Sequence, residues 1–160
     1  MENPVVRYFE EKNLPLKALF TGADTSTVQK AAEVLGVEDG QIAKSLAVRL
    51  PEGVGVLVAM GTARIDNHKF KETFHTKAKM LSAEETLAET GFPVGGVCPF
   101  ALPGGVAVYL DESLKKYTEV YPAAGTRDSA VKVEVAHFAE YTGGTWVDVC
   151  KDPEAAPAQP

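Results

Sequence analysis

The sequence predicts a mixed α/β fold in a single domain, with helices packed outside a mixed sheet or a partly closed barrel. Apolar residues recur at helical spacing in several segments and alternate with a period of two in others. The two kinds of segment interleave irregularly, and several connections between strands are short, which favours a mixed sheet over a regular parallel one. The 160 residues match the length of one ordinary domain.

Helices are predicted where a capping residue precedes a helical apolar pattern. Asn3 and Pro4 begin the first helix, since asparagine caps a helix well and proline suits its first turn. Ser26 and Gln29 form a capping box for a second helix, which ends at Gly36. Three more helices are predicted over residues 66–74, over a segment capped by Ser82 and Glu85 and closed by Gly91, and over residues 136–142.

Strands are predicted where apolar residues alternate along a short segment. Residues 54–60 are apolar almost throughout, which is typical of a central strand covered on both faces. The other strands are predicted over residues 16–20, 42–50, 77–81, 106–110, 118–121, 130–135 and 145–149, with 118–121 paired to 106–110. Residues 151–160 contain three prolines, so we expect a disordered tail after a domain that spans residues 1–150.

Composition and charge exclude several classes of protein. Sixteen basic residues against 22 acidic ones give a net charge of −6, which excludes a protein that coats DNA and limits any contact with nucleic acid to a local site. Residues 91–110 are uncharged, but three prolines and five glycines exclude a membrane helix there. The first residues lack the pattern of a signal peptide, so we expect a cytoplasmic protein without a membrane partner.

The histidines and cysteines show no pattern of a metal site. The three histidines and two cysteines lack metal-ligand spacing, so we expect neither a metal nor another cofactor. No histidine lies near Cys98 in the sequence, and no Ser-His-Asp or Cys-His set is visible.

Lys44 is an anomaly in the strand predicted over residues 42–50. The alternation places it on the same face as Ile42, Leu46, Val48 and Leu50, the face expected to meet the core. Because an unpaired buried ammonium is costly, Lys44 either extends its side chain to solvent or lines a pocket that binds an anionic or carbonyl group.

Two loops and one basic stretch are further candidates for a binding site. Residues 91–100 contain adjacent glycines, Gly95 and Gly96, which either let the backbone approach a ligand or make a tight connection. Residues 123–129 combine small residues with an arginine, an aspartate and two hydroxyls, a pattern that turns also favour. The basic residues of the third candidate are either a solvated helix face or phosphate contacts: Arg64, Lys69, Lys71, Lys77 and Lys79.

Four segments together resemble the YbaK/EbsC family, the free-standing relatives of the prolyl-tRNA synthetase editing domain. They are residues 27–37 (TVQKAAEVLGV), 41–46 (QIAKSL), 95–100 (GGVCPF, the family's GGxxP loop) and 120–128 (VYPAAGTRD). The order and spacing of the segments make the match specific, and the resemblance covers roughly residues 16–149.

The resemblance implies a YbaK-like fold and hydrolysis of a mischarged aminoacyl-tRNA, in which a small amino acid such as alanine or cysteine is esterified to tRNA for proline. It implies catalytic roles for Lys44, Gly95, Gly96 and Asp128. The implied substrate-binding residues are Phe20, Ser45, Cys98, Pro99, Gly125 and Thr126. The acceptor end of tRNA is the implied partner, with prolyl-tRNA synthetase as a further one, and the basic stretch is the candidate tRNA contact.

The absence of a visible nucleophile and base agrees with this chemistry, because an aminoacyl ester is already labile and needs only positioning and an oxyanion site. We expect Lys44 to hold the terminal phosphate or the ester, backbone N–H groups near Gly95 and Gly96 to face the oxyanion, and the substrate's ribose hydroxyl to help activate water. Three alternatives remain at this stage: a binding module without catalysis, a regulatory or cell-surface protein that shares only the fold, and a thiol hydrolase that uses Cys98.

Overall fold

Residues 3–151, the part of the chain that the computed structural model describes, form five α-helices, ten short strands and three turns of 3-10 helix. The helices are α1 (Pro4–Glu11), α2 (Val28–Leu35), α3 (Asn67–Phe74), α4 (Ala83–Thr90) and α5 (Phe138–Thr142). The strands are β1 (Ala18–Phe20), β2 (Ala43–Leu50), β3 (Gly53–Met60), β4 (Arg64–Ile65), β5 (Ala107–Asp111), β6 (Glu119–Val120), β7 (Ser129–Val131), β8 (Val133–Glu134), β9 (Thr145–Val147) and β10 (Cys150–Lys151).

The largest sheet is mixed, as predicted, with the strand order β2-β3-β5-β9. Strands β2 and β3 form an antiparallel hairpin, whereas β5 and β9 run parallel to their neighbours. The remaining strands pair two by two, as β1 with β7, β4 with β10 and β6 with β8, and the described residues form no closed barrel. Strand β2 is therefore an edge strand of the main sheet.

The apolar core covers both faces of the main sheet. On β3, Val56 and Val58 pack into one cluster of buried residues, while Leu57 and Ala59 pack into a second cluster. This explains the continuous apolar run of β3, because a strand buried on both faces has no side that favours polar residues. Strand β2 is also buried on both faces: Val48 and Leu50 lie in the second cluster, and Ala43 lies in the first.

Most of the predicted helix ends are confirmed. Asn3 caps α1, Ser82 and Glu85 form the capping box of α4, and the residues after α2 and α4 are left-handed glycines. The cap predicted at Ser26 is wrong by one residue. Thr27 accepts the hydrogen bond from the N–H of Lys30, whereas the N–H of Ser26 bonds to Asp24 in the preceding loop.

Four strand predictions need correction. Residues 118–121 do not pair with 106–110, because β3 and β9 already occupy both edges of β5, and β6 pairs with β8 instead. Residues 77–81 form no strand, only a single bridge between Met80 and Val48. The strand predicted over 130–135 divides into β7 and β8, which pair with different partners, and the first strand is shorter than predicted.

The predicted tail falls mostly beyond the described residues. Lys151 belongs to β10 and pairs with Arg64 of β4, and residues 152–160 lie outside the described part of the chain. None of the helices found within residues 3–151 has the length and apolar character needed to cross a bilayer.

Candidate functional site

A cavity of about 190 Å³ opens at the edge of β2, next to the beginning of α2. Two loops complete it, one around residue 95 and the other from residue 121 to residue 130. Its wall contains small and polar side chains together with one charged residue: Thr25, Ser26, Thr27, Val28, Ala31, Ile42, Ala43, Lys44, Ser45, Leu46, Val94, Gly95, Val97, Tyr121, Ala123, Ser129 and Ala130. The loop segments meet here because both pack against the same end of β2.

Lys44 supplies the positive charge of the cavity wall. Its side chain is half-buried, and its Nζ donates a hydrogen bond to the carbonyl oxygen of Ala63. Burial lowers the pKa of the Lys44 ammonium below its ordinary value, and the neighbouring Arg64 lowers it further. No ion pair formed within residues 3–151 includes Lys44. Lys44 is among the residues that line the cavity, while its Nζ is bonded to Ala63, which is not part of the cavity wall.

Ser45 also lines the cavity, and its hydroxyl is unusual. The Oγ atom is buried, yet it has no hydrogen-bond partner among the described residues. A buried hydroxyl without a partner is destabilising unless a ligand or water satisfies it. Because side chains alternate along a strand, the ammonium of Lys44 lies on the face of β2 toward Ala63, and the hydroxyl of Ser45 lies on the opposite face.

The two adjacent glycines have different roles. Gly95 lines the cavity with a left-handed backbone, and a Cβ atom at this position would lie 2.8 Å from Cβ of Ser26. Gly96 is buried, and its N–H donates to the carbonyl oxygen of Pro93 at 2.8 Å. The expectation that the N–H of Gly96 faces an oxyanion is therefore wrong, because this donor is already used in a turn.

Gly96 instead allows two loops to approach each other. A Cβ atom on Gly96 would lie 3.0 Å from backbone atoms of Thr126. Gly125 is similarly confined, with a φ of +93° and a Cβ position 2.8 Å from the ring of Phe92. Both glycines lie behind the cavity wall and hold the loop over residues 123–129 against the loop over residues 92–97.

The structure places several predicted residues away from the cavity. Phe20 and Thr126 line a separate groove against α1, together with Asn3 and Arg7. Asp128 also lies outside the cavity, and its Oδ1 accepts a hydrogen bond from Oγ1 of Thr126 at 2.7 Å.

Cys98 and Pro99 are buried, and neither lines the cavity. Burial raises the pKa of the Cys98 thiol to about 12, so the thiolate needed for nucleophilic attack is scarce at neutral pH.

Two residues that organise the cavity were not predicted. Ser129 is buried, and its Oγ accepts hydrogen bonds from the N–H groups of Ala124 and Thr126. Thr25 bonds through its N–H to the carbonyl oxygen of Arg127 at 2.7 Å, which ties the start of α2 to the same loop. The polar run before α2 and the serine that ends the loop were the available signals, since hydroxyls in such positions bond to nearby backbone.

The basic residues of the stretch 64–79 differ in their surroundings. Lys69 forms an ion pair with Asp148 at 3.0 Å. Lys71 and Lys77 are exposed and line a surface groove with Asn67 and His68. Arg64 lies close enough to Lys44 to lower its pKa.

Arg64 and Lys79 are both exposed.

Within residues 3–151 there is no group of three or more His, Cys, Asp or Glu side chains suited to hold a metal ion.

Comparisons with known proteins indicate the family to which the chain belongs. A protein from Bacillus subtilis, "Uncharacterized protein YwhH", is 48% identical over 131 residues, which cover 80% of this chain and 83% of the relative. The Enterococcus faecalis protein named "Putative Cys-tRNA(Pro)/Cys-tRNA(Cys) deacylase EbsC" is 27% identical over 148 residues, 90% of each chain.

A solved structure is similar along nearly the whole chain. It is described as "a putative trans-editing enzyme for prolyl tRNA synthetase" and superposes with a TM-score of 0.84 at 29% identity, covering 94% of this chain and 99% of the other. The family model for the aminoacyl-tRNA editing domain matches residues 22–141, a range that contains every residue of the cavity wall. The chain belongs to the aminoacyl-tRNA editing domain family.

Proposed function

We propose that this protein is a deacylase that hydrolyses the ester between a small amino acid and a mischarged tRNA, with tRNA for proline as the substrate. One observation carries the proposal: the small cavity at the β2 edge is lined by a half-buried lysine that has no acidic partner within residues 3–151. The similarity to proteins named as a Cys-tRNA(Pro) deacylase and a trans-editing enzyme for prolyl-tRNA synthetase supports the choice of substrate.

The volume of the cavity favours a small aminoacyl group. A water molecule occupies ~30 Å³ of liquid, so 190 Å³ corresponds to about six waters. An alanyl ester group has a comparable number of non-hydrogen atoms, whereas a whole nucleotide has several times more. The aminoacyl group therefore enters the cavity, and the terminal adenosine stays at its mouth.

The charge of Lys44 is suited to an anionic or carbonyl oxygen of the substrate. Its ammonium has one backbone acceptor, the carbonyl of Ala63, and can donate further hydrogen bonds. Because the side chain is half-buried, a bond to the terminal phosphate or to the ester is stronger than it would be in open solvent. Lys44 then positions the ester, while the N–H of Gly95 lies in the opposite wall as a candidate donor to the ester.

The reaction needs no covalent intermediate with the protein. The oxygen of a water molecule bonds to the ester carbonyl carbon, and one water proton passes to the adjacent ribose hydroxyl. That hydroxyl gives its own proton to the departing ribose oxygen as the ester bond breaks, which leaves a free amino acid and deacylated tRNA. The burial of Cys98 and the raised pKa of its thiol argue against the alternative of a thiol hydrolase.

The cationic groove beside the cavity is the proposed contact with the acceptor arm of tRNA. Arg64, Lys71, Lys77 and Lys79 are exposed, and they extend from the neighbourhood of Lys44 to the end of α3. Lys69 contributes less, because Asp148 neutralises part of its charge. We propose prolyl-tRNA synthetase as a further partner that supplies additional affinity for the tRNA.

A panel of charged tRNAs tests the proposal. Alanyl-, cysteinyl-, seryl-, threonyl- and prolyl-tRNA for proline are incubated with the wild-type protein and with Lys44→Ala. Lys132→Ala is the matched control, because Lys132 is exposed and pairs with Glu119 away from the cavity. We expect at least one small non-cognate ester to be hydrolysed with prolyl-tRNA spared, and with activity that depends on Lys44 but not on Lys132.

The same panel separates catalysis from binding alone. If none of the esters is hydrolysed, while an amide analogue of alanyl-adenosine binds in a Lys44-dependent manner, the protein is a binding module and the proposed hydrolysis is wrong.

A further inference from the structure

The outer edge of β2 is paired on both sides of Ser45 but not at Ser45 itself. The N–H of Ala43 donates to Tyr121 at 3.1 Å, and the carbonyl of Ala47 accepts from Leu81 at 3.0 Å. In an antiparallel pair, alternate residues direct their N–H and C=O groups away from the partner strand. Ser45 lies between Ala43 and Ala47 in this alternation, so its backbone groups also point away from β3.

These outward groups of Ser45 have no hydrogen-bond partner. Among the hydrogen bonds within residues 3–151, none involves the N–H, the C=O or the Oγ of this residue on the outer edge. The residue lines the cavity, and its Oγ is buried. One backbone donor and one backbone acceptor of Ser45 are therefore without a partner within residues 3–151, at the edge of β2 that borders the cavity, where a ligand can satisfy both.

We propose that the aminoacyl group of the substrate binds to this edge as one additional residue of a β-ladder. Its carbonyl oxygen accepts a hydrogen bond from the N–H of Ser45, and its α-ammonium donates to the C=O of Ser45. The inference rests on the proposed function and names Ser45 as a residue that positions the aminoacyl group within it.

The geometry of an antiparallel pair supports this arrangement. Two residues in a hydrogen-bonded pair exchange both of their N–H···O=C bonds, and an aminoacyl ester carries the same sequence of nitrogen, α-carbon and carbonyl as a residue in a strand. The paired side chains lie on the same face of a sheet, so the side chain of the bound amino acid lies beside that of Ser45.

The same contact has a consequence for the reaction. The oxygen that accepts from the N–H of Ser45 is the one that becomes negative when water adds to the carbonyl carbon. A fixed backbone donor at that position stabilises the transition state. The N–H of Ser45 is therefore the proposed donor to the oxyanion. The N–H of Gly96 cannot take this role, because it is bonded to Pro93.

A binding measurement with substrate analogues tests the proposal without depending on turnover. Two amide-linked analogues are compared, 3′-alanylamino-3′-deoxyadenosine and its propionyl counterpart, which lacks only the α-amino group. We expect the propionyl analogue to bind the wild-type protein at least about tenfold more weakly, because one hydrogen bond to a charged group typically changes a dissociation constant by more than tenfold. Equal dissociation constants would overturn the proposal.

Two variants of Ser45 test the backbone contact in the hydrolysis reaction. Ser45→Pro removes the outward N–H and retains the ladder with β3, because proline is tolerated where the N–H faces away from the sheet. Ser45→Ala removes only the hydroxyl. We expect kcat on alanyl-tRNA to fall about 100-fold in Ser45→Pro, the usual effect of losing one oxyanion donor, and only several-fold in Ser45→Ala.

The outcomes separate the inference from the function on which it rests. Lys44-dependent hydrolysis with an unchanged kcat in a folded Ser45→Pro variant would contradict the inference and leave the deacylase function intact. If Ser45→Pro does not fold, as shown by circular dichroism, the two analogues decide the question with the wild-type protein. If the wild-type protein hydrolyses none of the esters, the proposed deacylase function is wrong. The two analogues still test the contact with Ser45 in that case, because their binding does not depend on turnover.

Discussion

Lys44 carries its charge in surroundings that make the charge costly. Burial lowers the pKa of its ammonium, and no acidic group within residues 3–151 forms an ion pair with it. The residue is held in this position by the ladder between β2 and β3 and by the bond from its Nζ to Ala63. We propose that an anion or a polarised carbonyl of the substrate offsets this cost.

The lowered pKa of Lys44 predicts the pH dependence of the reaction. The positioning role requires the ammonium form, which is present below the pKa of Lys44 and is lost as the pH rises through it. Because that pKa is below the ordinary value for lysine, kcat/KM corrected for spontaneous hydrolysis falls at a pH lower than 10.5. A corrected profile that stays flat to pH 10.5 would contradict the role of the charge.

The unsatisfied hydroxyl of Ser45 predicts an effect on stability. Ser45→Ala removes a buried oxygen that has no partner within the described residues. Because the unfolded chain solvates this hydroxyl and the free folded protein does not, we expect the free energy of unfolding to rise by about 1 kcal/mol. Urea denaturation of the two proteins without substrate measures the difference, and a loss of stability would show that the hydroxyl is already satisfied.

At the scale of the elements, the cavity depends on how closely two loops approach each other. The loop over residues 92–97 and the loop over residues 123–129 meet at Gly96, where a Cβ atom would lie 3.0 Å from the backbone of Thr126. Ser129 and Thr25 fix the second loop from the other side through hydrogen bonds to its backbone.

A pair of glycine variants tests this dependence. Gly96→Ala forces the loop over residues 123–129 away from its position, so we expect kcat/KM to fall by about tenfold or more, since small misplacements in an active site are costly. Gly104→Ala is the matched control, because a Cβ atom there meets nothing within 4 Å. Equal activity of the two variants would show that the contact at Gly96 does not shape the site.

Local sequence patterns predicted the elements better than their pairing. Capping residues and period-two alternation depend on neighbouring residues, so Asn3, Ser82 and the strand β3 were predicted correctly. The pairing of β6 with β8 depends on which edges of β5 are free, and the sequence of β6 contains no information about them.

The candidate site was predicted unevenly for the same reason. Lys44 was found because its charge contradicts the alternation of a buried strand, and Gly95 because adjacent glycines are conspicuous. Two other features depend on the tertiary structure and could not be predicted. The Oγ of Ser45 has no partner within the described residues, and the N–H of Gly96 is bonded to the carbonyl oxygen of Pro93. The same is true of Asp128, whose carboxylate bonds to Thr126 outside the cavity.

At the scale of the whole molecule, the net charge of −6 opposes binding to tRNA except at the cationic groove. The groove contains Lys71 and Lys77, and we propose that the acceptor arm of the tRNA lies along it.

Charge reversal tests the contact with tRNA. In a variant with Lys71→Glu and Lys77→Glu, we expect KM to rise about tenfold or more and its dependence on salt concentration to weaken, with kcat nearly unchanged. A variant with Lys17→Glu and Lys132→Glu is the control, because it changes the net charge by the same amount at two exposed positions outside the groove. An equal rise of KM in the control would indicate that only the overall charge matters.

The most direct test of the central claim is the hydrolysis of alanyl-tRNA for proline by the wild type and by Lys44→Ala, with prolyl-tRNA as the cognate ester. We predict that the wild type removes alanine and spares proline, and that the variant loses at least about 100-fold in kcat/KM, or some 2.7 kcal/mol of transition-state stabilisation. Near-normal hydrolysis by a folded Lys44→Ala protein would contradict the account.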